Sequence, residues 1–316
     1  SEMCIRDSIY TMNTLTMLMA LMLGLLTVPG GKNSSLAKEN GYVINLDRAE
    51  KLEKMTYSSL FSKAGIIVLE DTDESLLGKV DKLEVCDNNL YVLEKGRGLF
   101  LFNKQGKFIK MIGRKGKGPG EYIDPDDISI DRENKKIYVL DSQTQNVLKY
   151  SSNGTFESSF KLENKGTRST FIQPFKNALY TNLYTFDESG KRFLLSKVDV
   201  TNGKRISFQF EASQYNKGWN ELFSTNQHTF ISGPTGNPKF MQIFMDTIFE
   251  ITPKGIKPYI TLQSKKLVTK EYLETLIAEN DMSKSTRVSK ICDRLMKTDK
   301  IYNCLLYTSP SPRDTR

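Results

Sequence analysis

Short apolar runs alternate with polar turns along this chain, and two stretches repeat nearly the same pattern. The first reads Leu90-Tyr91-Val92-Leu93, then Leu99-Phe100-Leu101-Phe102, then the polar turn Asn103 to Lys107 and a third run from Phe108. The second reads Ile137-Tyr138-Val139-Leu140, then Val147-Leu148-Lys149-Tyr150, then Ser151 to Thr155 and a third run from Phe156. Leu90 and Ile137 are 47 positions apart. Runs of four to six residues rich in β-branched and aromatic side chains, bounded by glycine turns, predict strands. A repeat of roughly 40–50 residues built from several such strands is the pattern of a β-propeller blade.

The two clear blades are expected over about Val80–Gly113 and Asp127–Lys161. Looser units follow. One carries Ala178–Thr181, Phe193–Leu195 and Val198–Gly203; the next carries Phe240–Phe244, Asp246–Ile251 and the turn Thr252–Gly255. The turn glycines Gly106, Gly154, Gly203 and Gly255 keep the spacing. Tyr42–Leu46 and Gly65–Leu69 read as further strands, with Ser58–Ser62 as a turn between them. After Gln263 the period changes. Thr269 is placed to cap a helix with Leu273, Leu276 and Ile277 on one face, and Val288, Ile291 and Leu295 predict a second over Ser285–Lys297. Ile301-Tyr302 reads as the opening of another strand. The fold class is all-β: a β-propeller of about four to five blades over residues 43–303, with a short helical insertion at 264–298.

The ends read differently. Met3–Ser8 and Cys304–Thr308 are translations of one inverted repeat, the pattern of a sequencing-library adapter, so residues 1–8 and 304–316 are set aside from the fold. Met12–Leu26 is almost wholly apolar and Val28-Pro29-Gly30-Gly31 follows, which predicts a secretory signal over residues 9–31 and a polar linker over 32–42. Export to the periplasm or cell surface is the expected localisation. Without the ends two cysteines remain, Cys86 and Cys292, read as buried thiols with a disulfide as the alternative in an oxidising compartment. No CxxC and no Cys/His cluster is present, so neither a zinc site nor redox chemistry is expected. The net charge of +8 is scattered through turns rather than interleaved with aromatics, which argues against a nucleic-acid partner.

Three ordered motifs carry a family resemblance. Gly113-Arg114-Lys115-Gly116-Lys117-Gly118-Pro119-Gly120-Glu121-Tyr122, between the clear blades, is similar to the Gly-Pro-Gly-Glu-Tyr connector of the exported six-bladed β-propeller proteins of gut-dwelling Gram-negative bacteria. Asp73–Gly78 and Asp246–Ile251, the latter followed by Gly255-Ile256-Lys257-Pro258, resemble two further hallmarks. The resemblance implies a six-bladed ring related to the NHL-repeat propellers, with no shared catalytic residues. It also implies a lipoprotein signal in many members. No lipobox cysteine follows the apolar run here, so membrane association rests on an N-terminal anchor the sequence does not display.

Candidate binding residues fall in two places. The glycine-rich connector could cradle an anion on its backbone N–H groups, with Arg114, Lys115 and Lys117 adding charge; the competing reading is a crossover with Pro119-Gly120 in a type II turn. Tyr215, Trp219, Phe223 and His228 could stack on sugar rings, or could pack the loop that carries them. Asp71, Asp73 and Ser75 start like a calcium loop but meet Leu76 where glycine is needed and Lys82 where glutamate is needed. Asp124, Asp126, Asp127 and Glu121 form an acidic cluster fit for calcium or acid–base work, or for turns. No catalytic residue, metal ligand or cofactor is assigned. The expected function is non-catalytic binding of a glycan, peptide or protein partner; the alternative is a calcium-dependent hydrolase or lactonase acting at the central channel.

Overall fold

The computed structural model describes residues 41–49, 56, 62, 65–164, 166–183, 190–219, 229–233, 236–278, 290–291, 293–295 and 297–301. The expected signal, both adapter-like ends, the Ser58–Phe61 part of the turn, Tyr302 and Cys292 lie outside them. The chain divides into two compact units, one built on Gly65–Glu211 and the other on Lys239 onward with Ala212–Trp219 and the N-terminal strand.

The first unit holds three four-stranded antiparallel sheets, each laid out in chain order. The first comprises β2 (Lys82–Cys86), β3 (Asn89–Glu94), β4 (Gly98–Asn103) and β5 (Phe108–Ile112). A connector pairs β6 (Arg114–Lys115) in parallel with β7 (Glu121–Tyr122). The second sheet is β8 (Pro125–Asp131), β9 (Lys136–Asp141), β10 (Asn146–Ser151) and β11 (Phe156–Lys161); the third is β12 (Ile172–Phe175), β13 (Ala178–Asn182), β14 (Phe193–Asp199) and β15 (Arg205–Glu211). The first strands touch one another, β2 against β8 and β8 against β12, so successive sheets turn about a common inner line. This is a propeller-like arrangement of blades.

Burial explains it. Leu90 to Glu94 and Gly98 to Phe102 are buried on both faces, so each sheet must be sandwiched. Tyr91, Leu93, Leu99 and Leu101 pack against Ile128, Ile137, Val139 and Leu148 of the second sheet. The opposite face of the second sheet, with Tyr138, Leu140 and Val147, packs against Ile172, Leu179 and Val198 of the third.

A polar latch recurs where the second strand of each blade ends. Glu94 accepts the N–H of Gly78 at 3.3 Å, Asp141 that of Ile123 at 2.7 Å, and Asn182 those of Thr170 and Phe171 at 3.0 and 2.7 Å. In each case the donor lies just ahead of that blade's first strand, so the carboxylate or amide ties the entry of the blade to its interior. Asp81 and Asp126 make the reciprocal tie, accepting the N–H groups of Lys95 and Ser142 at 2.9 and 3.3 Å. Buried backbone donors need such partners.

The second unit carries one more blade-like sheet in the order β1–β19–β18–β17, from β17 (Lys239–Phe240), β18 (Thr247–Thr252), β19 (Gly255–Gln263) and β1 (Tyr42–Asn45). A two-residue strand β16 (Phe230–Ile231) precedes β17. Strand β1 joins β19 in parallel, and Asp47 beyond it accepts from Ser264 Oγ at 2.5 Å and Lys265 N at 2.9 Å. The turn α1 spans Ala212–Tyr215 and the helix α2 Lys270–Ala278, with Thr269 Oγ1 accepting the Tyr272 N–H at 3.2 Å as its cap. Residues 290–291 and 293–295 are also helical, while the rest of the expected Ser285–Lys297 helix falls largely on undescribed positions. Leu273, Leu276, Ile291 and Leu295 bury against Trp219, Phe244 and Val268.

Three sequence expectations change. Gly65–Leu69 is extended but enters no ladder among the described residues. Phe240–Phe244 is a strand only to Phe240, since Phe244 takes a left-handed φ of 64° that breaks the pleat. The third blade gains β12 and β15, which composition hid: Pro174 sits within β12, and β15 is half-exposed along most of its length.

Replacing Asp141 with alanine strands the Ile123 and Thr144 N–H groups, the latter bonded at 3.1 Å. A loss of about 1–3 kcal/mol is expected in urea unfolding, against no more than about 0.5 kcal/mol for an exposed control such as Lys104→Ala.

Candidate functional site

The glycine-rich connector folds around its own acid. Glu121 lies in β7, and its Oε2 accepts the Gly118 N–H at 2.8 Å while Oε1 meets Arg114 Nε at 2.6 Å. The backbone pocket read as an anion cradle therefore holds the Glu121 carboxylate. Those donors hold the carboxyl below the usual carboxylate range, the Gly118 N–H first and Arg114 next. Lys115 and Lys117 stay exposed.

Glycine is required here for space. Gly113 has φ +67°, and a Cβ on it would meet the Tyr122 ring and the Tyr150 hydroxyl, each at 2.6 Å. The Tyr122 hydroxyl donates to Ile112 O at 2.9 Å and accepts from Leu99 N at 3.2 Å, and the Tyr150 hydroxyl donates to Gly120 O at 3.0 Å. Burial pushes both phenols up in pKa. The connector is thereby pinned to both blades it joins.

The inner strands bring together a charged group that sequence spacing did not reveal. Lys82 on β2 reaches Asp127 on β8 at 2.7 Å, and Asp127 also accepts the Ile172 N–H at 2.8 Å. Glu84 on β2 meets Arg132 at 3.1 Å. Asp127 is fully buried, and burial pushes its carboxyl up against the opposing pull of Lys82. Glu84 is raised for the same reason, with Lys82 and Arg132 opposing. The signal was available: polar Lys82, Glu84 and Asp127 sit on the innermost strands, where an apolar residue would be expected.

A second buried network joins the second and third blades. The Arg205 guanidinium donates to Glu163 O at 3.0 Å, to Thr181 Oγ1 at 3.1 Å and to Ser196 Oγ at 2.5 Å. Gln145 exchanges hydrogen bonds with the Ser169 backbone, each at 2.9 Å. Burial lowers the Arg205 pKa to about 10, with Glu163 opposing. Every named polar group is matched, so this network reads as structural.

The acidic cluster does not converge. Asp124 accepts the Gly96 N–H at 3.2 Å, Asp126 takes Ser142, Asp127 takes Lys82, and Glu121 stays in its loop. Asp71 precedes and Asp73 lies within the turn Thr72–Ser75, and the Ser75 hydroxyl donates to Glu70 O at 2.7 Å. Among the described residues no group of three or more His, Cys, Asp or Glu is placed to hold a metal ion. Trp219 is buried edge-on to Phe244 at 5.1 Å, inside the helical cluster. Tyr215 is 40% exposed with its ring against Phe249 at 5.9 Å. The structure thus separates these two aromatics by exposure; His228 and Phe223 lie outside the described residues. Cys86 is a buried free thiol.

Comparison with known proteins gives the family. A family model described as "Domain of unknown function (DUF4934)" matches residues 41–310. No curated protein matches the chain. Among solved structures, a Bacteroides fragilis protein named as exported is similar at 21% identity and a TM-score of 0.56, covering 75% of this chain and 64% of that one. The chain thus spans less than two thirds of that protein's length. A member of the DUF4221 family from Bacteroides vulgatus matches at 11% identity and a TM-score of 0.38, over 63% of this chain and 64% of that one. Glutaminyl cyclase of Myxococcus xanthus matches at 12% and 0.38, over 58% and 75%. Among the described residues no helix is long and apolar enough to cross a membrane.

Two outcomes test the connector. Gly113→Ala should destabilise the protein by more than about 1–3 kcal/mol, because the new methyl adds a clash to a strained φ. Glu121→Gln should lower the melting temperature at neutral pH. A depressed carboxylate contributes stability that is present above its unfolded value of 4.5 and lost as pH falls through the folded one. The gap between wild type and variant, measured by thermal melts across pH 3–8, should therefore close on the acid side.

Proposed function

This chain belongs to the DUF4934 family, and from that premise we propose that it is a non-catalytic, exported six-bladed β-propeller that binds a glycan, peptide or protein partner through its loops. The observation that carries the reading is the state of the inner-strand carboxylates. Asp127 is committed to Lys82 and the Ile172 N–H, and Glu84 to Arg132. A calcium-dependent hydrolase needs carboxylate oxygens free to converge on one cation. Here the cations beside them are side chains of the protein itself. Tyr215, 40% exposed and edge-on to Phe249 of β18, offers an aromatic face of the kind that stacks on sugars. Arg114 is tied to Glu121, leaving Lys115 and Lys117 as the connector's freely presented charges. Export to the periplasm or cell surface is supported by the apolar run Met12–Leu26.

Thermal melts in calcium chloride and in chelator should coincide, and lactone and ester substrates should not turn over. A calcium site filled at a hundredfold its Kd would add about 2.7 kcal/mol, a rise of several degrees. Such a rise together with calcium-dependent hydrolysis would replace the binding reading with the enzymatic one. A soluble glycan and peptide panel should then return a ligand whose affinity falls in Tyr215→Ala.

A further inference from the structure

The Arg205 network is rich in protons and short of acceptors. Each of its groups has a partner, but not every donor does. A guanidinium carries five N–H donors, and a hydroxyl carries one donor beside two acceptor sites. Arg205, at the start of β15, gives Nε to Glu163 O, the N–H groups of Nη1 to Thr181 Oγ1 and Ser196 Oγ, and one of Nη2 to Ser169 Oγ at 3.4 Å. The second N–H of Nη2 meets no acceptor among the described residues. The hydroxyls form a directed chain. Ser169 donates to Thr181 at 3.0 Å, which fills Thr181 Oγ1 together with the Arg205 bond. Thr181 must then donate to Ser196 at 2.9 Å, which fills Ser196 Oγ in turn. The Ser196 proton is left without an acceptor, and its oxygen is 2.5 Å from Nη1. Both surplus donors therefore belong to one end of the guanidinium. Charge is in surplus too. Arg205 is 6% exposed, and Ser169, Thr181 and Ser196 are fully buried. The guanidinium meets only a carbonyl and three hydroxyls, while the Glu163 carboxylate accepts the Arg205 backbone N–H at 2.9 Å. Burial outweighs Glu163 in setting the Arg205 pKa, so the cation is short of compensation. Two positions ahead of Ser169, the buried Thr167 hydroxyl also has no partner among the described residues.

We propose that Arg205 and Ser196 hold a small monovalent anion, of the chemistry of chloride, inside the third blade. An anion accepts both surplus protons and offsets the guanidinium charge. A water accepts the same protons but brings two of its own and no charge. Burial of every partner selects a compact ion that sheds its water at low cost, rather than the carboxylate or sulfate of a larger ligand. The site is separate from the loops and does not depend on what they bind.

The test uses the full chain. Crystals soaked in sodium bromide should show anomalous density in contact with the Arg205 guanidinium and Ser196 Oγ. At matched ionic strength the protein should melt several degrees higher in sodium chloride than in sodium gluconate, with a gain that saturates as chloride rises. Arg205→Met should lose that saturable gain. Ser196→Asp places a carboxylate where the halide is proposed, so it should be indifferent to chloride and melt in gluconate near the wild-type value in chloride. Should neither variant fold, the bromide density on wild type decides. Bromide found only at surface positions overturns the proposal and assigns the surplus protons to water. A chloride gain that never saturates, or that persists in Arg205→Met, overturns it as well, because general salt effects on the surface behave in that way.

Discussion

Everything in this protein depends on sheets that are apolar on both faces. Leu90, Val92, Phe100 and Phe102 point one way from the first blade, while Tyr91, Leu93, Leu99 and Leu101 point the other. A sheet of this kind cannot stand with one face in water. At about 25 cal/mol per Å² of apolar surface, exposing either face would cost several kcal/mol, a large share of a domain's net stability. Stacking blade on blade covers both faces at once. Where no blade follows in the described first unit, the free face of the first blade is covered by Leu69, Leu77 and Val80 of the segment ahead of it.

That packing leaves a polar problem at the blade ends, and the chain solves it repeatedly in one way. Glu94, Asp141 and Asn182 each close the second strand of a blade and each takes up backbone donors from the segment entering that blade. The acid that ends an otherwise apolar run is thus a structural latch. The same logic governs the connector, where Glu121 fills the loop that its glycines open. These particular acids are committed to holding turns and inner strands, and among the described residues no group of three or more His, Cys, Asp or Glu is placed to hold a metal ion.

Much of the architecture was legible because it rests on local pattern. The apolar runs Leu90–Leu93 and Ile137–Leu140, the turn glycines and the Thr269 cap each report a short-range preference, and each appears in its expected element. The failures are informative too. Gly65–Leu69 has every local mark of a strand, yet a strand exists only with a neighbour, and pairing is not a local property. β12 was missed because Pro174 reads as a breaker. The candidate site was less legible still. Lys82 and Asp127 are 45 positions apart, and nothing in their spacing says that β2 and β8 will lie side by side.

The sequence alone determined that the chain builds blades, how long they are and where they turn, because strand periodicity and glycine conformation act over a few residues. Only the tertiary structure decided what the charged and aromatic residues do. Trp219 became core while Tyr215 stayed partly exposed; Glu121 became the anion of its own loop; Lys82 and Arg132 paired with the inner carboxylates. The physical reason is that burial and electrostatic pairing are set by which distant segments meet, and the stacking of two-faced sheets makes that choice.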